Sequence, residues 1–147
     1  MKKITTVIAA ALLLLSTSSF AGEKNNYVNE KVKTAFEKAF TNASNVTWEE
    51  KDNYYLVSFR VDDVRYRVAY DLEGKVLAES KITKFDKVPA AVIAALKTQY
   101  EGYSLGNNVE VLKSGGKTTY SFTISNDNQI LRVKVDESGN YVEEARD

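Results

Sequence analysis

Chemistry in a chain with no histidine and no cysteine has to come from carboxylates, lysines, tyrosines and hydroxyls. The usual general base, the thiol nucleophile and the common transition-metal ligands are missing. Carboxylates occur as adjacent pairs, Glu49-Glu50 and Asp62-Asp63. Neighbours along a strand face opposite ways, so neither pair converges as an acid/base couple must. Two aspartates at a hairpin tip are ordinary turn residues. Asp71 to Gly74 and Asn126-Asp127-Asn128 are rich in oxygen. Neither has the ligand spacing and distal glutamate that place six or more oxygens around calcium, so both are read as turns. With no nucleophile–base pairing in view, the chain is expected not to be an enzyme and to need no cofactor or metal.

Recognition is the chemistry that remains. The chain has five arginines, and three of them fall between positions 60 and 67. Arginine beside tyrosine is the composition of interface hot spots. Strand alternation sends Tyr54, Leu56 and Arg60, then Arg65 and Arg67, to one face, with Leu77 beside them and Arg132 on the matching face further on. Tyr54, Leu56, Arg60, Arg65, Arg67 and Arg132 are therefore the candidate residues for holding a protein or peptide. The competing reading is a solvated sheet face, kept soluble by charges such as an exposed Glu79.

These residues need a scaffold of helix and sheet. Tyr27 to Phe40 shows apolar residues at three- and four-residue steps, which predicts a helix capped by Asn25 or Asn26. A short strand from Val46 to Glu50 should put Val46 and Trp48 on one side, with Trp48 in the core. Tyr54 to Val61 and Val64 to Tyr70 alternate around the Asp62-Asp63 hairpin, placing Tyr55, Val57, Phe59, Tyr66 and Tyr70 under the helix. Asp71 to Gly74 turns into a strand from Lys75 to Ser80. Ile82 to Lys87 connects to a second helix, with Pro89 at its first position and Val92, Ala95, Leu96 and Tyr100 inward. Gly102 to Asn108 is read as an exit loop. Strands follow at Val109 to Lys113, Thr118 to Ser125, Ile130 to Asp136 and Asn140 to Glu144.

The second helix and its strands echo the first. Val32-x-x-Ala35-Phe36-x-x-x-Phe40 returns as Val92-x-x-Ala95-Leu96-x-x-x-Tyr100, 60 positions later. Tyr55-x-Val57-x-Phe59 returns as Tyr120-x-Phe122-x-Ile124, and Asp71 to Gly74 as Asp136 to Gly139, both at 65. Such repetition predicts an α+β fold of two tandem helix-plus-antiparallel-sheet repeats, about 27–81 and 88–145, forming one domain over 22–147 with the helices on one face.

The run Asn45-Val46-Thr47-Trp48-Glu49, Tyr55-x-Val57-x-Phe59, Tyr70-Asp71-x-x-Gly74-x-Val76 and Val88-Pro89-x-x-Val92, with the first helical motif, resembles the exported PepSY-like proteins. That family is also labelled β-lactamase-inhibitor-like. The resemblance spans essentially all of the chain after its leader. It implies tandem helix-plus-sheet repeats, an envelope or secreted location and a binding or inhibitory role, with no catalytic residues. Without cysteines, the stapled loops of the β-lactamase inhibitors have no counterpart here.

The leader carries the address. Lys2-Lys3, an apolar run from Val7 to Leu15 and Ser19-Phe20-Ala21 form the three parts of a secretory signal peptide, with cleavage expected between Ala21 and Gly22. The product would be periplasmic or extracellular and carry no membrane anchor. Residues 1–21 hold two lysines and no acid, which leaves the remainder at a net charge of −2. That balance argues against nucleic acid, which needs a basic stripe. The expectation is an exported, non-catalytic protein that holds a protein or peptide on an exposed sheet face. The alternative is a structural or stress-related envelope protein without a dedicated ligand.

Overall fold

The protein is seen here as a computed structural model that describes residues 27–146, so the leader lies outside the described residues. It is α+β, with two helices and eight strands among the described residues, and it divides into two compact units, the first ending at Ser80 and the second starting at Lys81.

In the first unit, α1 (Glu30–Ala39) starts three residues later than the apolar spacing suggested. The cap is Asn29 and not Asn25 or Asn26; its side chain accepts from the Lys31 N–H at 2.8 Å and its Nδ2 donates to the Leu72 carbonyl at 3.0 Å. A side chain that satisfies an orphan N–H fixes where a helix begins, whatever the hydrophobic pattern upstream. The strands β1 (Ser44–Glu50), β2 (Tyr54–Val61), β3 (Val64–Asp71) and β4 (Val76–Lys84) follow one another in chain order, and the helix lays Val32 and Phe36 on the first three. Tyr55, Val57, Phe59, Val68 and Tyr70 complete the core, as their alternation implied. Phe36 meets Phe59 edge-on at 4.9 Å and Trp48 at 5.2 Å, and Tyr66 stacks on Phe59 at 5.4 Å.

The edge strand β1 departs from simple alternation. Its pairing with β2 shifts between Ser44 and Thr47, and Asn45 sits at φ 52°. Val46 beside this irregularity is exposed, while Trp48 is half-buried against the core. A bulge adds one residue to one strand and so resets which face its neighbours take. The hairpin between β2 and β3 holds full register from Tyr54↔Asp71 to Val61↔Val64, with Asp62 at φ 47° and Asp63 at φ 64°. Positive φ at both central residues is the turn that matches strand twist, and aspartate tolerates it.

In the second unit the segment read as a connector is already structured: β4 runs to Lys84, and Phe85–Lys87 is a 3-10 turn. Pro89 is the N-cap of α2 (Ala90–Gln99), one position before the place expected for it, and its carbonyl accepts from Val92 and Ile93. The helix buries Val92 and Leu96 with Val109, Phe122, Ile124, Leu131, Val133 and Val135. Strands β5 (Ser104–Ser114), β6 (Lys117–Ser125), β7 (Ile130–Asp136) and β8 (Tyr141–Arg146) pair antiparallel in sequence order. The stretch read as an exit loop, Gly102 to Asn108, is in fact largely the start of β5, with an irregularity between Leu105 and Val109. Gly106 explains why a glycine stands in that strand: a Cβ there would lie 2.9 Å from the Thr123 carbonyl oxygen.

Candidate binding face

In each unit the strands have one face under the helix and one turned away. In the first unit the away face is built from cross-strand rows. Ser44, Arg60 and Arg65 form one, Thr47, Ser58 and Arg67 the next, then Glu49, Leu56 and Ala69, with Tyr54 opposite Asp71 at the far end. The structure therefore brings Tyr54, Leu56, Arg60, Arg65 and Arg67 to one surface. Arg65 is exposed, and Tyr54, Arg60 and Arg67 are half-buried. Arg67 Nε donates to Ser58 Oγ at 3.1 Å, and Arg60 Nη1 reaches the Asp63 carbonyl at 3.5 Å.

Leu56 is a correction. Only 3% of it is exposed, so it is no part of a contact surface in this state, and Ala69 opposite it is wholly buried. Alternation assigns a residue to a face but does not assign exposure. The cross-strand neighbours of Leu56 are Glu49 and Ala69. Glu79, expected to be exposed, is half-buried.

Arg132 lies on the away face of the second unit, opposite Thr123 and Ala145, and is half-buried. Beside it runs a polar row in which alternation along the strands already set Ser121 and Lys134: Glu110 opposite Ser121, Ser121 opposite Lys134, Lys134 opposite Glu143. Lys134 Nζ pairs with Glu143 at 2.7 Å, while Glu110 and Ser121 are buried. Glu110 is the member that sequence reasoning did not single out, and its burial had no signature in the sequence.

The oxygen-rich turns are occupied by their own backbone. Asp71 Oδ1 accepts from the N–H groups of Glu73 and Lys75 at 3.0 and 2.9 Å. Asp136 Oδ1 accepts from Ser138 and Asn140 at 2.9 and 2.8 Å, and Asn140 Nδ2 donates to Oδ2 at 3.1 Å. The Asn140 side chain first, then these backbone donors, hold the Asp136 carboxyl below its ordinary value. Asn126 Oδ1 is used in the same way by Asn128 and Gln129. Among the described residues no group of three or more acids is placed to hold a metal ion. Nor is any helix there long and apolar enough to cross a membrane.

No family model matches this chain, and no curated protein does. Solved structures match it in fold. A protein from Bacteroides eggerthii, provisionally described as periplasmic, aligns over 82% of this chain and 90% of its own, at 18% identity and a TM-score of 0.70. A DUF2874 family protein from Bacteroides uniformis covers 80% of this chain and 88% of its own at 19% identity and a TM-score of 0.68. A BLIP-like protein from Bacteroides fragilis covers 79% and 84% at 21% identity and a TM-score of 0.64. At such identities the likeness is one of fold.

Proposed function

We propose that this chain is an exported, non-catalytic, inhibitor-like binding protein that holds a protein or peptide on the sheet face turned away from α1. The observation that carries the reading is the arginine concentration at one hairpin: Arg60, Arg65 and Arg67 share a face with Tyr54, and Arg65 stands in solvent. Arginine supplies a planar donor fork and tyrosine a large, stiff contact area. The BLIP-like and periplasmic descriptions of two fold neighbours point the same way. Residues 1–21, with their signal-peptide pattern, support export.

Affinity capture from a native envelope extract tests this, using the protein recovered from an exporting bacterial host. Arg65→Ala should leave the melting temperature nearly unchanged and weaken capture of the partner by about 1–2 kcal/mol. Unchanged capture would place the binding surface elsewhere. The second reading, an envelope protein without a dedicated ligand, is favoured by the other unit, where Lys134 is already paired with Glu143 and the face meets its own charges.

We also infer that the units are two copies of one design. Gly74 and Gly139 both sit at φ 84°. Around Gly74 a Cβ would meet the Lys31 carbonyl and Ala35; around Gly139 it would meet the Ala91 carbonyl and Ala95. Those neighbours stand 60 positions apart and the glycines 65, the two offsets of the repeated motifs.

A further inference from the structure

We propose that the tip of the β2–β3 hairpin is a carboxylate-docking site, and that the partner presents to it an extended segment with acids at alternate positions. The proposal rests on the binding-face reading and names the chemistry which that face takes. Register puts Arg60 directly opposite Arg65, with Arg67 one pair further from the turn, opposite Ser58. Val61 and Val64 flank the two-residue turn as the hydrogen-bonded pair, so Arg60 and Arg65 form the other kind, in which side chains approach more closely. Like charges directly opposite one another destabilise a sheet.

Among the described residues no carboxylate is paired with either arginine. Arg65 makes no hydrogen bond or ion pair among the described residues, and Arg60 makes only the 3.5 Å contact to the Asp63 carbonyl oxygen. The carboxylates of Asp62 and Asp63, one and two residues from these arginines, form no ion pair with them. A cationic pair that costs the fold stability and is left without a local anion is suited to one brought from outside.

The spacing narrows what that anion is. Arg65 and Arg67 lie two residues apart on one strand, about 6.8 Å, and an extended acidic segment carries its alternate carboxylates at the same interval. The Arg65 fork can take a carboxylate in a two-bond arrangement that a lysine cannot reproduce, and Arg67 adds its positive charge two residues further on. Arg67 is steadied by its bond to Ser58 Oγ at 3.1 Å, which leaves fewer rotors to freeze on binding. A near-neutral chain with no long basic stripe does not suit a polyphosphate backbone.

Titration calorimetry with hexaglutamate tests the assignment on the protein recovered from an exporting host. Saturable binding is expected. It should weaken at least tenfold in the Arg60→Ala, Arg65→Ala double variant and severalfold in Arg65→Lys, and stay unchanged in Lys33→Ala on the exposed side of α1. The double variant should melt at or above the wild-type temperature, because it removes a repulsion. Absence of saturable binding, equal loss in Lys33→Ala, or a drop in melting temperature that accounts for the lost binding would each overturn the proposal. So would tighter binding of a hexanucleotide through the same arginines. The broader reading has its own readout: if Tyr54→Ala abolishes capture of a native partner while hexaglutamate does not bind, the face stands and the carboxylate chemistry falls.

Discussion

Tyr70 is the residue whose chemistry the fold alters most. Its ring is a core element, yet its hydroxyl is buried with no hydrogen-bond partner among the described residues. Burial, with the charge of Glu79 adding to it, pushes the phenol up to about 12. The native state therefore holds this proton more tightly than the unfolded chain does, where a tyrosine titrates at about 10. Stability from this residue is complete below about pH 10 and is lost as pH rises through about 12. Tyr70→Phe should flatten that alkaline decline relative to wild type and be neutral or stabilising at pH 7, since it removes an unsatisfied polar atom. Urea midpoints measured at pH 7, 10 and 11.5 check both. The glycines give a second comparison at this scale. Gly74, Gly102 and Gly139 all sit at φ 84°, but a Cβ at Gly102 meets nothing within 4 Å, whereas at Gly74 it would lie 2.9 Å from the Lys31 carbonyl oxygen and at Gly139 2.7 Å from the Ala95 Cβ. Substitution by alanine should cost about 1 kcal/mol at Gly102, from backbone strain alone, and about 2–4 kcal/mol at each of the others. Equal midpoints for all three variants would mean that the turns do not pack on the helices as described, and would remove the support they lend to the repeat.

The elements differ in how closely sequence pattern foretold them. Strands β2 and β3 fell where alternation placed them, because an unbroken two-residue period under one helix leaves a single register that buries Tyr55, Val57, Phe59, Val68 and Tyr70. Strands β1 and β5 begin earlier than read, at Ser44 and Ser104, and each contains an irregularity, near Asn45 and near Gly106, that breaks the two-residue period without changing composition. The same difference separates two aromatic side chains. Phe59 is 2% exposed and meets Phe36, Phe40 and Tyr66, so Phe59→Ala should destabilise by about 3–5 kcal/mol. Trp48 sits half-buried on the edge strand against Phe36 and should cost about half as much when truncated. Thermal unfolding of the two variants ranks them. A Trp48→Ala protein as destabilised as Phe59→Ala would show β1 to be a core strand in energetic terms.

At the scale of the whole molecule, local pattern along the chain carried an address and a fold class. Lys2-Lys3, the apolar run and Ser19-Phe20-Ala21 predict that mass spectrometry of protein secreted by a bacterial host will find Gly22 at the N-terminus; intact chain recovered from membranes would refute this. The α+β class was legible because helical and strand periods are local properties of the chain, and so was the gathering of Arg60, Arg65 and Arg67 on one face, since a period of two needs only the right turn between strands. Which members of that face meet solvent emerged only once the strands had paired. Leu56 and Ala69 are closed off, Arg65 is left open, and Glu110 is buried in a row with Ser121 and Lys134. The physical reason is that periodicity is written along one strand, whereas exposure is a sum over the neighbours that pairing brings from elsewhere in the chain, and bulges and register shifts alter that sum without any local mark.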